Sequence, residues 1–422
     1  MKFSKQVVSS TPLEGMTAHI VSTGVKDVVT FAGSFLGGAQ FGPTSNQKIS
    51  VLMAAMLDKG TQTKNKHEIS NLLEGVGAEI SFSSTRHHVQ FTGSCLKKDL
   101  EIVIKLLGEQ LQSPGLPNEE LVILKNRMVG VLEQSKEDTK KQALIGFLSS
   151  LYPEKHPNHR ITTEKAIEQT KKVSKKELKY FYKKYYGLGQ FNFVAAGDVN
   201  PGQINDLLEN QFNRWEHKKT TINDLLLGGY PTKANEKRIN ITDKMSLDMY
   251  LGQAVGIDRD HEDYYALMMG IYILGGNFSA RLMQTVRDEQ GLTYGIGSSI
   301  AGTSFGCDGY WNTWGTFSPS LFEKGKNATM DQIIKWYNNG INSNELEAKK
   351  TTITGAYQVG MDTTGGVVAL LLSNAERGRS VAYLDKYPEK ITKLSLGQVN
   401  RAIKQHIDPK KLTLVSAGSF KQ

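Results

Sequence analysis

Histidines stand at positions 19, 67, 87, 88, 156, 159, 217, 261 and 406. A hydrolytic zinc centre on a single helix needs two of them four residues apart. Both imidazoles then leave one face, and a glutamate between them activates water. No pair has that spacing, so neither HExxH nor HxxEH is present. His67-Glu68 opens such a pattern, but the fourth residue on is Asn71, and the stretch reads as a polar helix face. His87 and His88 sit at the start of a strand, where neighbouring side chains point to opposite faces. His156 and His159 lie in the Pro-flanked loop YPEKHPNH. Cys95 and Cys307 are far apart and form no CxxC, which excludes a disulfide scaffold and a cysteine-based zinc site. There is no GxSxG for a serine nucleophile and no GxxxxGK[ST] or post-strand GxGxxG for phosphate. Gly275-Gly276 before Asn277 reads as a helix end and turn.

The elements that would carry such residues are arranged as a repeat. Ser174 and Ser395, each able to cap a helix, lie 23 residues before Gly197 and Gly418, which end apolar strands. Upstream, Asn118-Glu119-Glu120 and Asn344-Glu345 open long helical patterns, each with a glycine ten residues after its last glutamate, Gly130 and Gly355. The offsets, 221 and 225 residues, agree closely enough to indicate duplication. Each half reads as α+β. The first has strands near 17–22 and 28–34, helices over 48–58 and 66–76, strands 79–83 and 88–95, helices 98–111 and 119–134, shorter helices to Tyr186 and a closing strand 191–196. The second opens on a strand 246–255 and a helix 261–274 and closes on a strand 412–417. Alternation is clear in Ala78 to Phe82 and His88 to Thr92, as expected of half-buried antiparallel strands. The expected organisation is a domain over 1–215, a linker over 216–238 and a second domain over 239–422.

Composition agrees with folded domains. The 422 residues are 39% apolar and 22% charged, and a chain of this length builds two cores rather than one. The net charge of +9 is scattered through doublets such as Lys140-Lys141, Lys171-Lys172 and Lys175-Lys176, which argues against a nucleic-acid surface. No apolar run reaches membrane-spanning length. The opening MKFSKQVVSS lacks the apolar middle of a signal peptide, and a soluble chain, cytoplasmic or periplasmic, is expected.

The stretch Val51 to Thr61 (VLMAAMLDKGT), with Glu68-Ile69, Leu73-Glu74 and Gly77 to Ser81, resembles the pitrilysin/insulinase-type zinc metallopeptidases, especially their mitochondrial processing peptidase-like branch. In that family HxxEH precedes a Met-Leu-x-Lys-Gly-Thr stretch. Anchored on Lys59-Gly60-Thr61, the resemblance places the first histidine at Val51, the glutamate at Ala54 and the second histidine at Ala55, so all three are lost. The family's distal ligand glutamate falls on Glu133, and one carboxylate does not hold catalytic zinc. In the second half, Phe278 to Tyr294 is similar to the family's substrate-holding motif. The resemblance makes Arg287 and Tyr294 the pair that hydrogen-bonds the substrate backbone, a role suited to guanidinium and phenol donors. Without it, Arg287 reads as a surface ion pair with Asp288 or Glu289, and Tyr294 as filling the start of a strand.

The resemblance implies two homologous α+β domains, each an antiparallel-rich sheet packed with helices, together forming half of a clamshell. It implies a non-catalytic, substrate-binding subunit that binds no cofactor itself and pairs with a homologous HxxEH-bearing subunit holding zinc, with peptide as substrate. Self-association without that partner is left open. The alternatives are a purely structural subunit of the same fold and a zinc peptidase with other ligands, such as His87 or His88 with Glu133.

Overall fold

A computed structural model of the chain describes residues 2–43, 46–222, 234–304 and 306–420. The first half runs β1 (Val7–Ser10), β2 (Met16–Ser22), β3 (Val28–Leu36), α1 (Lys48–Ala55), α2 (Lys66–Gly75), β4 (Glu79–Ser84), β5 (His88–Leu96), α3 (Leu100–Gln112), α4 (Asn118–Ser135), α5 (Thr139–Leu151), α6 (Thr163–Lys172), α7 (Lys175–Tyr185), β6 (Phe191–Gly197) and α8 (Pro201–Phe212). The second runs β7 (Asn235–Asn240), β8 (Leu247–Ala254), α9 (Tyr264–Gly275), a π-helical segment (Met283–Glu289), β9 (Gly295–Ala301), β10 (Tyr310–Phe317), α10 (Phe322–Asn339), α11 (Ser343–Gly360), α12 (Thr364–Ala375), α13 (Ala382–Thr392), α14 (Leu396–His406) and β11 (Thr413–Gly418). No described helix is long and apolar enough to cross a membrane.

The duplication is visible strand by strand. One sheet has the order β1-β2-β6-β3-β5-β4, the other β7-β11-β8-β10-β9. Removing β1 leaves the same path twice. In each sheet the closing strand, β6 or β11, pairs parallel with the first strand of the repeat, β2 or β7. It pairs antiparallel with the next strand, β3 or β8. The sequence markers of the repeat do matching work. Ser174 and Ser395 both close capping boxes, with Glu177 and Gln398. Gly197 and Gly418 both adopt positive φ, +133° and +142°. A Cβ there would lie 2.1 Å from the Val28 carbonyl oxygen and 2.6 Å from that of Ser246, so only glycine lets the strand end close against its neighbour.

Burial follows the alternation. β5 buries His88, Val89, Phe91, Gly93 and Cys95, whereas β8 is buried along its full length. Phe31, Phe35, Phe91, Phe191 and Phe193 fill one core with α1, α3 and α8. In the other unit Trp311 and Trp336 are fully buried, 5.8 Å apart. Their indole N–H groups donate to Ser298 Oγ (2.7 Å) and the Gly270 carbonyl (3.1 Å), which removes the cost of burying those donors.

Most differences from the sequence reading come from long-range contact. The two compact units are not consecutive. One gathers the described residues of Met1–Gly130, Ile167–Ile222 and Ala356–Pro388, the other those of Val131–Ala166, Asn223–Gly355 and Glu389–Gln422. The halves have exchanged a helix. α5 packs on β8 and β11, and α12 packs on β3 and β6. A division at 215 and 239 therefore misplaces both helices. The span read as a linker is ordered at its ends: Leu188 and Glu216 to Lys218 bond through their backbones, and 235–238 belong to β7. Residues 223–233 of that span lie outside the described residues. α1 stops at Ala55 rather than running to Asp58, because the Met56 amide is shared between the Leu52 and Met53 carbonyls and that of Leu57 turns to Ala54, three residues back.

Candidate functional site

α1 is a short apolar helix. Val51 and Ala55, four residues apart on one face, are half-buried, and Ala54 is fully buried in the core. Three aliphatic side chains offer no lone pair to an ion, so α1 does not bind metal through these positions. The adjacent Ser50 hydroxyl is bonded to that of Ser84 on β4. Glu133, near the end of α4, is exposed and paired with Lys136 at 2.6 Å. Replacing Glu133 with glutamine is expected to leave the activity of any complex within a few-fold of wild type. A peptidase assay showing complete loss would give it a role in zinc chemistry.

His87 and His88 are both buried. His88 Nδ1 lies 3.8 Å from Glu376, whose carboxylate also accepts from Gln90 at 2.8 Å. Burial, reinforced by the positive charge of Arg86, pushes His87 down to about 3. The unfolded chain then binds a proton below pH 6.5 that the folded chain refuses, so stability falls with falling pH. Between pH 6.5 and 5 the loss is expected to be about 1.5 kcal/mol. Denaturant titrations of wild type and His87→Gln at both pH values check this, since the variant should lose that pH dependence.

The segment carrying Arg287 and Tyr294 is tightly held. Lys349, 6% exposed, donates to Asn277 Oδ1 (3.1 Å), the Ser279 carbonyl (3.1 Å) and Ser279 Oγ (2.6 Å), fixing the loop after α9. Arg281 forms a two-pronged bond to Glu345, 2.6 and 2.7 Å, and also reaches the Gly340 carbonyl at 2.9 Å. Met283–Glu289 then winds as a π-helix, a form that often occurs at functional sites. It ends at Gly291 in the left-handed region, φ +62°. Thr293 Oγ donates to the Gly295 carbonyl at 2.9 Å and to that of Thr316, pinning the entry to β9.

Arg287 and Tyr294 meet across this turn. Arg287 Nε donates to the Tyr294 carbonyl at 3.1 Å, and Nη1 to Asp288 at 3.2 Å. The ion pair with Asp288 is one of the two the residues alone suggested. Tyr294 does not fill the strand start: the residue is 89% exposed, with its carbonyl held by Arg287. The phenol O–H and the remaining guanidinium nitrogen, Nη2, are both donors suited to a carbonyl oxygen.

Sequence reasoning missed one grouping. Among the described residues a single set of three metal-type side chains has its ligand atoms within 4.8 Å of one another: His261, Asp263 and His406. Spacing along one helix has no access to residues from two distant helix ends. His87, His88 and Glu133 form no such set.

Two repeats of one mixed α/β unit, the first with a short aliphatic α1, define a metallopeptidase-type fold. Residues 20–160 match the insulinase family (peptidase family M16), and residues 172–353 match the peptidase M16 inactive domain. The chain belongs to peptidase family M16. It is 23% identical over 394 residues to "non-peptidase homolog YmxG" of Helicobacter pylori, covering 92% of this chain and 88% of that one. It is also 23% identical over 365 residues to "uncharacterized zinc protease YmxG" of Bacillus subtilis, covering 85% of each. A solved peptidase M16 inactive domain from Pseudomonas fluorescens shares the fold, with a TM-score of 0.88, 23% identity and 98% of each chain covered.

Proposed function

We propose that this chain is the non-catalytic, substrate-binding subunit of a two-chain zinc metalloendopeptidase. A homologous partner bearing HxxEH supplies zinc, water and the general base. Arg287 and Tyr294 of this chain orient the substrate carbonyl. One observation carries the reading: a tyrosine whose carbonyl is held by Arg287, in a turn that Thr293 pins through Gly295, is 89% exposed. An aromatic donor held out on a rigid turn is poorly explained by stability. The family also contains relatives named as an uncharacterized zinc protease and as a non-peptidase homolog, which suits a division of labour.

In this reading an extended or unfolded peptide adds as a strand to a sheet edge of the partner, where backbone hydrogen bonds give affinity with little sequence demand. Donors from Arg287 and Tyr294 then hold the scissile carbonyl against the zinc-bound water. The test is hydrolysis of an unstructured peptide by the chain alone, by a co-purified HxxEH homologue alone and by the mixture. Activity is expected in the mixture, and none from this chain alone.

A second reading, a structural subunit of the same fold, draws on the ion pair already occupying Arg287. An inactive mixture, or one that Arg287 and Tyr294 substitutions leave unchanged, would favour it.

A further inference from the structure

His261, Asp263 and His406 converge from two helix ends that are fixed relative to each other, because α9 and α14 pack together. Asp263 stands at the N-cap of α9, yet its side chain makes no capping bond. Its Oδ2 lies 3.0 Å from Nε2 of His406, the last residue of α14. His261 crosses the His406 ring at 86°, with centroids 5.4 Å apart, and its Nδ1 accepts from the Asp263 amide at 3.1 Å. The His406 and Asp263 side chains are 9% and 13% exposed, so the site is mostly desolvated but not sealed from solvent.

A helix-end ion pair accounts for His406 and Asp263 but not for the second imidazole brought against them. We propose that these three residues form a site for a divalent transition metal of the zinc class. It is separate from the lost motif on α1 and from the catalytic zinc assigned to the partner. Two imidazoles and one carboxylate suit zinc and its neighbours, whereas calcium and magnesium favour all-oxygen sets. Ligands of a tetrahedral ion at zinc bond lengths lie about 3.3 Å apart. His406 and Asp263 stand close to that separation, at 3.0 Å, and side-chain rotation would close the remaining spread of at most 4.8 Å.

Binding replaces hydrogen bonds that hold the trio without an ion. The proton on His406 Nε2 moves to Nδ1 of the same ring, and the ion takes its place against Asp263. Whichever nitrogen of His261 binds, its Nδ1 lone pair is no longer open to the Asp263 amide, and that bond opens. The ion would then clamp the start of α9 to the end of α14.

The experiment titrates the chelator-treated full chain with Zn2+ and with Co2+, following heat, the visible Co2+ spectrum and the melting temperature. One ion per chain and a raised melting temperature are expected. Affinity should fall at least about tenfold in His261→Ala, Asp263→Asn and His406→Ala, since even outer-shell changes at metal sites cost that much. His406→Gln preserves side-chain bulk if the alanine variant fails to fold. Absence of binding, or equal affinity in wild type and all variants, overturns the site. Peptidase activity of the chain alone, retained in these variants, would instead overturn the proposed function and leave the ligand assignment standing.

Discussion

Phe147→Ala is expected to destabilise the unit built on the second sheet by about 3–5 kcal/mol, although Phe147 lies in the first half of the sequence. Its side chain is fully buried, with the ring 6.0 Å from Tyr250 and 6.1 Å from Tyr310. With Ala143, Leu148 and Leu151 it forms the face of α5 that meets Tyr250, Ala254, Val415 and Ala417. Gly146 lets that helix approach closely: a Cβ there would stand 2.9 Å from Ile239 and Val415 side-chain carbons. Hydrogen exchange should therefore lose protection in β8 and β11. Leu371→Ala in α12, also fully buried, should cost about 2–5 kcal/mol and weaken β3 and β6 instead. Protection lost in the sheet nearer in sequence would contradict the helix exchange as the basis of stability.

The second large effect concerns rate. If the chain positions substrate for a zinc-bearing partner, Arg287→Ala should lower kcat/KM of the mixture about 100-fold, the scale for removing one donor aimed at a developing oxyanion. The melting temperature should scarcely move, because an exposed ion pair such as Arg287 with Asp288 contributes about 0–1 kcal/mol. Arg287→Lys keeps the charge but loses the planar fork, and should recover little. Tyr294→Phe removes one neutral donor and should cost roughly tenfold, about 1.4 kcal/mol, within the range for a hydrogen bond. Unchanged rates in all three variants would leave a structural subunit as the better account.

Local patterns predicted local structure well. The alternation of β4 and β5 and the capping serines of α7 and α14 are visible because neighbouring residues determine them. The repeat was legible for the same reason, since each copy keeps its cap and its strand-end glycine. β1 and β7 were not: only four residues form β1, and β7 is polar and largely exposed. Their pairing comes from β2 and β11. The destinations of α5 and α12 depend on which sheet each apolar face meets, and helical periodicity is silent on that. Of the candidate site, the aliphatic character of α1 at Val51, Ala54 and Ala55 could be read directly. The π-helical turn at Arg287 and the trio at His261 could not, since neither follows from spacing along one element.

The exchanged helix also constrains how a one-repeat form could exist. Such a chain would carry its α5 equivalent on the wrong side of its own connection, leaving its sheet without the helix that covers it. Two copies could satisfy each other by trading that helix, giving an intertwined pair of identical chains. Joining the copies end to end would make the trade permanent and free each repeat to diverge.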